Sequence, residues 1–454
     1  MTPFEPSSWR TRASARMHRL LEVHREQRAS MLNAACGFFF VTTGVMLLRP
    51  VRDAMGIAGG LEDIRGLFIS TALLTLALNP LFGLLVARTR RAHAIVATFG
   101  FFALTLLAFW ALMTFGSPAV GRASGQALYV WFSVLNVFGT MVFWALVVDR
   151  FRGEQGTRPF AVVAMGGTLG AICGPGLTAW LAQPLGAANL LPLSALFLVV
   201  GTLSALRLAR GAPVPGRAEG SEEASADDMA PLGGGAWDGA RAVRRSPYLA
   251  GIAGYVLLTA VMTTLVYLTR LHWVADGPAD PEAMAATLAN IDMGTQIVFL
   301  VLQAAMATRL GRRVGPGAAL IALPLATSLG FLALAAHGGI VLLFVLEAAT
   351  RAVQRGVARP ARELLFTLVR REHTYKAKAF IDTFVYRMGD VLGAQLETWA
   401  RSARGVDGVV ATAIPVAAVW LLTALHLGRR YRQQRVRPAA RGDARWNAPP
   451  AEAE

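Results

Sequence analysis

The sequence predicts an all-α polytopic membrane protein, with twelve transmembrane helices in two six-helix halves. Three observations carry that prediction. Apolar residues make up 54% of the 454 positions and charged residues only 16%, with a mean hydropathy of +0.47. Apolar runs of about 20 residues, each enough to cross the hydrocarbon layer as a helix, recur along the chain. Basic residues alternate between the loops that join those runs, as expected of a chain threaded back and forth through a membrane.

Residues 1–30 hold six arginines among Ser and Glu without an apolar core, which reads as a cytoplasmic basic leader rather than a cleavable signal. The predicted spans are Met31–Leu48, Gly66–Ala87, Ala94–Phe115, Ala127–Val148, Pro159–Leu181 and Ala188–Leu206, then Leu249–Thr269, Leu288–Ala307, Ala318–Ala336, Gly339–Ala358, Ala379–Ala400 and Val409–Leu427. The N-terminus, the loops after even-numbered spans and the C-terminus carry 34 Lys and Arg; the opposite loops carry 7 and the spans three. The positive-inside rule then places both termini on the cytoplasmic face, here of a bacterial inner membrane. Topology thus accounts for the net charge of +16, and no nucleic-acid partner is expected. The two cysteines, Cys36 and Cys173, fall inside apolar spans and read as small packing residues.

The chain divides into a leader to residue 30, a first half over 31–206, a flexible cytoplasmic linker over 207–247, a second half over 248–428 and an Arg-rich cytoplasmic tail over 429–454. The linker is rich in Gly, Pro, Ser and acidic residues. Traces of duplication agree with two halves. GLLVARTRRAH from Gly83 is echoed by ATRLGRRVG from Ala307, and Arg152-x-Glu154 with Arg158 by Arg370-x-Glu372 with Lys376. Those loops resemble the GxLaDRxGRR signature of the major facilitator superfamily, around Arg309, Gly311, Arg312 and Arg313, with Ala87 and Thr308 where that signature has Asp. The resemblance implies two parallel six-helix repeats. Gly170-x-x-x-Gly174-Pro175 in the fifth span resembles the GxxxGP motif of antiporters in that superfamily; close helix packing explains it equally well.

Charges inside the spans are the functional signal. Glu347, Arg351 and Arg355 recur at i, i+4 and i+8, a stripe about 12 Å long on a regular helix. Each charge at mid-membrane costs roughly 3 kcal/mol, and the nine large aliphatic and Phe residues of that span return only about 3–5 kcal/mol in total. The helix cannot face lipid all round. The next span repeats the problem with Asp382, Arg387, Asp390 and Glu397. Such residues mark a polar pathway, and structural ion pairs between neighbouring helices are the other reading. At the outer end of the first span, Arg49 and Arg52 flank Pro50, which is expected to break the helix there and leave two guanidiniums suited to a phosphate or carboxylate; snorkelling to the headgroups is the other reading. Polar faces also run through the fourth span (Ser133, Asn136, Thr140, Trp144, leading to Asp149), the seventh (Thr259, Thr263, Tyr267) and the eighth (Asp292, Gln296, Gln303), implying a watery interior. The sequence offers no nucleophile–base pair, metal-ligand cluster or phosphate-binding Gly loop, so neither an enzyme nor a cofactor or metal is expected.

At RPVRD (from Arg49), at VFWALVVDRFRGEQGTRPF (from Val142) and at RPARE followed twelve residues later by KAKAFIDTFVYRMGD (from Lys376), the chain resembles the ATP/ADP translocases. These are nucleotide transporters of plastids and energy-parasitic bacteria, and the likeness is nearest to relatives in free-living bacteria. It implies secondary-active exchange of nucleotide-like or other phosphorylated anions, with Arg52, Arg362 and Asp149 taking part. The chain departs in using Arg at both basic positions and in offering Tyr267 where those transporters carry a Glu in the seventh span. The candidate substrate-binding set is therefore Arg49, Arg52, Asp149, Tyr267, Glu347, Arg351, Arg355, Arg362, Asp382, Arg387 and Asp390. The expected partners are a small anionic solute and membrane lipid, for a protein acting as a monomer. A transporter of another organic solute, or a non-transporting membrane sensor or partner-binding protein, are the alternatives.

Overall fold

The computed structural model describes residues 25–88, 91–151, 158–210, 238–277, 280–305, 316–369 and 377–436. Among these residues all regular structure is helical, and the protein is an all-α polytopic membrane protein. Nine helical stretches among them are long and apolar enough to cross a membrane. The last of them, Ala377–Gln433, contains two passes, because the chain turns at Arg404 and Gly405, the latter at φ 63°. Within the described residues each of the twelve predicted runs falls on helix, apart from the cap residue Gly339. The loops that carry the duplicated motifs around Arg152, Arg309 and Arg370, with Lys376, lie outside the described residues, as does 211–237 of the expected linker.

The described helices cluster into two compact units. The first contains α1 (Arg25–Ala58), α2 (Leu61–Arg88), α3 (Arg91–Phe115), α4 (Pro118–Arg150), α5 (Arg158–Leu185) and α6 (Leu190–Arg210), joined by Val274–Gln296. Within it α1 lies between α5 and α6, and glycines set the spacing. A Cβ at Gly170 would stand 2.5 Å from the carbonyl oxygen of Phe39, and one at Gly174 2.7 Å from the Leu47 nitrogen and the Thr43 oxygen. On the other side the Ser194 hydroxyl donates to the Gly44 carbonyl at 2.8 Å. The small-residue motif of the fifth span is thus a backbone-to-backbone helix contact, with Thr178 donating to the Leu47 carbonyl at 2.7 Å one turn further on.

Pro50 does not break α1. The helix runs through it to Ala58, so Arg49 and Arg52 stand on continuous helix rather than at a broken end. A mid-helix proline costs about 3 kcal/mol. Leu47, Leu48, Val51 and Ala54, all buried, hold the two turns around it in place.

The second unit contains the remaining helices: α7 (Asp238–Arg245), α8 (Pro247–Ala275) up to Trp273, α9 (Pro281–Ala305) from Ile297, α10 (Pro316–His337), α11 (Ile340–Val353), α12 (Arg359–Phe366) and α13 (Tyr386–Val436). The glycine device recurs here. A Cβ at Gly389 would stand 2.6 Å from Ala260 Cβ and 2.7 Å from the Leu257 oxygen, and one at Gly393 2.9 Å from Thr264 Cβ, so α13 packs on α8 as α5 packs on α1. Trp420, Tyr255, Phe331 and Leu365 form part of the core. Buried Tyr255 and Tyr248 donate to the carbonyls of Leu320 and Leu365, each at 3.1 Å.

Candidate functional site

Two wide helical turns build the site in the second unit. Between α11 and α12, residues Gln354–Ala358 form a π-helical turn, and a second one, Ile381–Val385, leads into α13. Each holds an extra residue and turns the side chains beyond it away from regular helical register. Arg355 therefore does not continue the face of Glu347 and Arg351. It lines a cavity of about 440 Å³ together with Gln354 and Ala358 of the same turn and Arg359 and Arg362 of α12. Asp382 of the second turn, Tyr386 and Arg387 of α13, Tyr255 and Thr259 of α8 and Leu323 of α10 complete the wall. Gln354 of the first wide turn and Tyr386, just after the second, both face this space.

Four guanidiniums and one carboxylate thus face this space. Arg362 Nη2 lies 3.1 Å from Asp382 Oδ1 and 3.6 Å from Glu363 Oε1, and Lys378 Nζ donates to Glu363 Oε2 at 2.5 Å. The result is a chain of alternating charge from Lys378 through Glu363 and Arg362 to Asp382. Glu363 lies beyond the membrane-spanning segments. Burial alone would raise its carboxyl, but the Lys378 hydrogen bond and the neighbouring charges of Lys378 and Arg362 bring it below its ordinary value. Arg387 Nη1 bonds Asp390 Oδ2 at 3.1 Å, and Thr264 donates to Asp390 Oδ1 at 3.4 Å, so Asp390 braces Arg387 from behind. The Arg355 guanidinium lies over the Phe299 ring, 5.3 Å from its centre.

The other sequence-predicted residues are elsewhere. Glu347 pairs with Arg351 and, at 3.3 Å, with Arg270, whose guanidinium also lies over the Tyr267 ring at 5.3 Å. Arg270 is fully buried, although the expected seventh span ends at Thr269 and leaves it in a loop. The helix continues to Ala275, and Glu347 supplies the counter-charge that makes the deeper position tenable. Glu397 Oε1 takes a hydrogen bond from Arg401 Nε at 2.5 Å and lies 3.4 Å from His272 Nδ1. In the first unit Arg49 Nε lies 3.5 Å from Asp292 Oδ2, and Arg52 grips buried Asp53 at 2.6 Å while resting on the rings of Tyr129 and Phe132. Asp149 stands in the last turn of α4 in that unit.

Of the predicted set, the cavity brings together Arg355, Arg362, Asp382 and Arg387, with Asp390 in support. Sequence reasoning missed Tyr255, Gln354, Arg359 and Tyr386. Tyr255 was findable, since it extends the Thr259, Thr263 and Tyr267 face by one helical turn, and Arg359 falls four residues after Arg355. Gln354 and Tyr386 carried no such signal.

No family model and no curated protein matches the chain. Solved structures do. The nucleoside transporter NupG, in a mutant form, is similar with a TM-score of 0.61 at 13% identity, over 89% of this chain and 99% of that one. A bacterial homologue of the human lysosomal transporter Spinster, inward-facing and unoccupied, is similar with a TM-score of 0.55 at 13% identity, over 92% of this chain and all of that one. This chain shares the fold of these two transporters.

Proposed function

We propose that the protein is a secondary-active transporter that exchanges phosphorylated anions, nucleotide-like in class, across a bacterial inner membrane, acting as a monomer with both termini cytoplasmic. The observation that carries this reading is the cavity wall of Arg355, Arg359, Arg362 and Arg387 against the single carboxylate Asp382, set among membrane-crossing helices. Guanidiniums hold phosphate oxygens in pairs of parallel hydrogen bonds, and more strongly out of water than in it. A space of about 440 Å³ is within the range that takes a small organic solute. Tyr255, Tyr386, Thr259 and Gln354 add hydrogen-bonding groups for the part of the solute that is not phosphate. NupG carries a nucleoside on the same fold, and the arginines here supply what a phosphorylated relative of such a solute would need.

Exchange follows from charge. An empty wall with excess positive charge reorients slowly across a low-dielectric layer, and a bound anion lowers that barrier by neutralising it. Tyr267, engaged by Arg270 rather than replaced by an acid, favours an anion other than strictly ATP and ADP. The test is uptake of labelled nucleotides and sugar phosphates into proteoliposomes, with and without unlabelled substrate inside. Equal uptake by empty and loaded vesicles rejects exchange. No uptake of any phosphorylated solute, with uptake of an uncharged one, favours a transporter of another organic solute.

A further inference from the structure

Behind the cavity wall lies a buried acid, Asp390, 5% exposed. The sequence MGDVLGAQ from Met388 sets one glycine just before it and another three residues after it. These glycines let the α13 backbone close on α8. A Cβ at Gly389 would stand 2.7 Å from the Leu257 oxygen, and one at Gly393 3.0 Å from the Val261 oxygen. Ala260 and Thr264, which face the two glycines, are buried as well. Two groups meet the Asp390 carboxylate in this dry contact. Arg387 Nη1 lies 3.1 Å from Oδ2, and the Thr264 hydroxyl donates to Oδ1 at 3.4 Å. Thr264 is neutral, so Arg387 supplies the counter-charge.

The other charges of the surrounding helices are engaged with one another. Arg270 of α8 and Arg351 of α11 pair with Glu347, and His272 of α8 lies beside Glu397, which Arg401 also holds. Around the cavity Arg362 pairs with Asp382, and Arg355 and Arg359 line the same wall. Glu363 of α12 is held by Lys378. Tyr386, one turn before Asp390, and Tyr255 and Tyr267 of α8 are phenols, which bring no charge at neutral pH. Residues 297–305 of α9 and α10 before His337 carry no acid or base.

Arg387 thus serves two sites at once. It balances Asp390 from one side and lines the cavity on the other, with 26% of its side chain exposed. A phosphate that takes the guanidinium fork draws it away from the carboxylate behind. Asp390 would then be a buried charge with only a hydroxyl for company, which a low-dielectric interior does not sustain. We infer that Asp390 takes up one proton from solution when a phosphorylated anion engages Arg387, so that each anion crosses with a proton. The new O–H bond forms on Oδ2, the oxygen that Arg387 leaves. The proton returns to water when the anion departs and Arg387 closes back. This rests on the reading of the cavity as an anion site. Binding that takes up one proton weakens as pH rises, by up to about tenfold per pH unit.

The test titrates adenosine diphosphate and glucose 6-phosphate calorimetrically into the full-length protein in detergent. Working at about pH 7.5 keeps the phosphate itself ionised. Buffers of different ionisation enthalpy count the protons. Wild type should take up between half a proton and one proton more than Asp390→Asn, while Asp382→Asn keeps the wild-type uptake. Infrared difference spectra should show a carboxylic-acid carbonyl band appearing when the anion binds wild type, and none with Asp390→Asn. Should that variant fold poorly, Asp390→Glu should keep the uptake and shift the band. Anion binding with no extra proton, uptake lost in Asp382→Asn, or a band that Asp390→Glu leaves in place overturns the inference and spares the anion site. If neither probe binds wild type, both fall.

Discussion

Arg362 and Asp382 form a 3.1 Å ion pair on the cavity wall, joining α12 to the second wide turn. Asp382 is the one carboxylate among the lining residues, and it occupies an edge of the guanidinium that a phosphate would want. Its charge therefore opposes anion binding and assists release. Asp382→Asn removes that opposition while keeping a hydrogen-bonding side chain. KM for the transported anion should fall about tenfold, equivalent to about 1.4 kcal/mol, and kcat should fall with it as release slows. Exchange kinetics in proteoliposomes measure both, and a raised KM contradicts this role for Asp382.

Arg355 and Arg270 should separate transport from stability. Arg355 is exposed to the cavity, and its contact with Phe299 contributes about 0.5–1 kcal/mol. Arg355→Gln should keep the folded yield within about twofold while abolishing uptake. Glu347, by contrast, is the buried partner of buried Arg270. Glu347→Gln strips that pair of its negative charge and should destabilise the protein by about 3–5 kcal/mol, read as a lowered unfolding midpoint in detergent. A stable Glu347→Gln protein, or an Arg355→Gln protein that fails to fold, reverses the two assignments.

How much of this was legible in the sequence depends on the physics of each part. Every membrane pass needs about 20 apolar residues, so the helices could be read directly, and the charges within them marked where a polar space had to be. The two wide turns could not be read, because one extra residue in a helix leaves no compositional trace. They decide that Arg355 faces the cavity while Arg351 turns to Glu347. Arg270 was misplaced because a hydropathy boundary stops at the first charge, whereas the helix continues wherever a buried counter-charge waits. Pro50 was overread for a related reason: a local propensity of about 3 kcal/mol yields to the packing around it.

The helix contacts make a sharper prediction. Gly174→Ala puts a Cβ 2.7 Å from backbone atoms of α1, which no side-chain rotation relieves, and should destabilise by about 1–3 kcal/mol. Gly294→Ala, with open space around the added carbon, should be neutral within about 0.5 kcal/mol or gain slightly from helix propensity. Unfolding midpoints of the two variants in one detergent provide the comparison. Equal effects would mean that the contact between α1 and α5 is looser than the structure has it.

Glu363 sets the expected response to acid. Burial works against its charged form, but the Lys378 hydrogen bond and the charges of Lys378 and Arg362 prevail, so its folded carboxyl titrates below the ordinary 4.5. A carboxylate depressed on folding contributes stability that is fully present above its unfolded value and is lost as pH falls through the folded one. Wild type should therefore exceed Glu363→Gln in unfolding midpoint above about pH 4.5, and the gap should close as pH falls below it. Lys378→Met should show the same closing gap, since it removes the same bond from the other end. Glu363 and Lys378 are both about two-fifths exposed, so added salt should narrow the gap at neutral pH as well. A gap that is constant with pH, or that widens on acidification, would show that Glu363 holds α12 by packing rather than by charge.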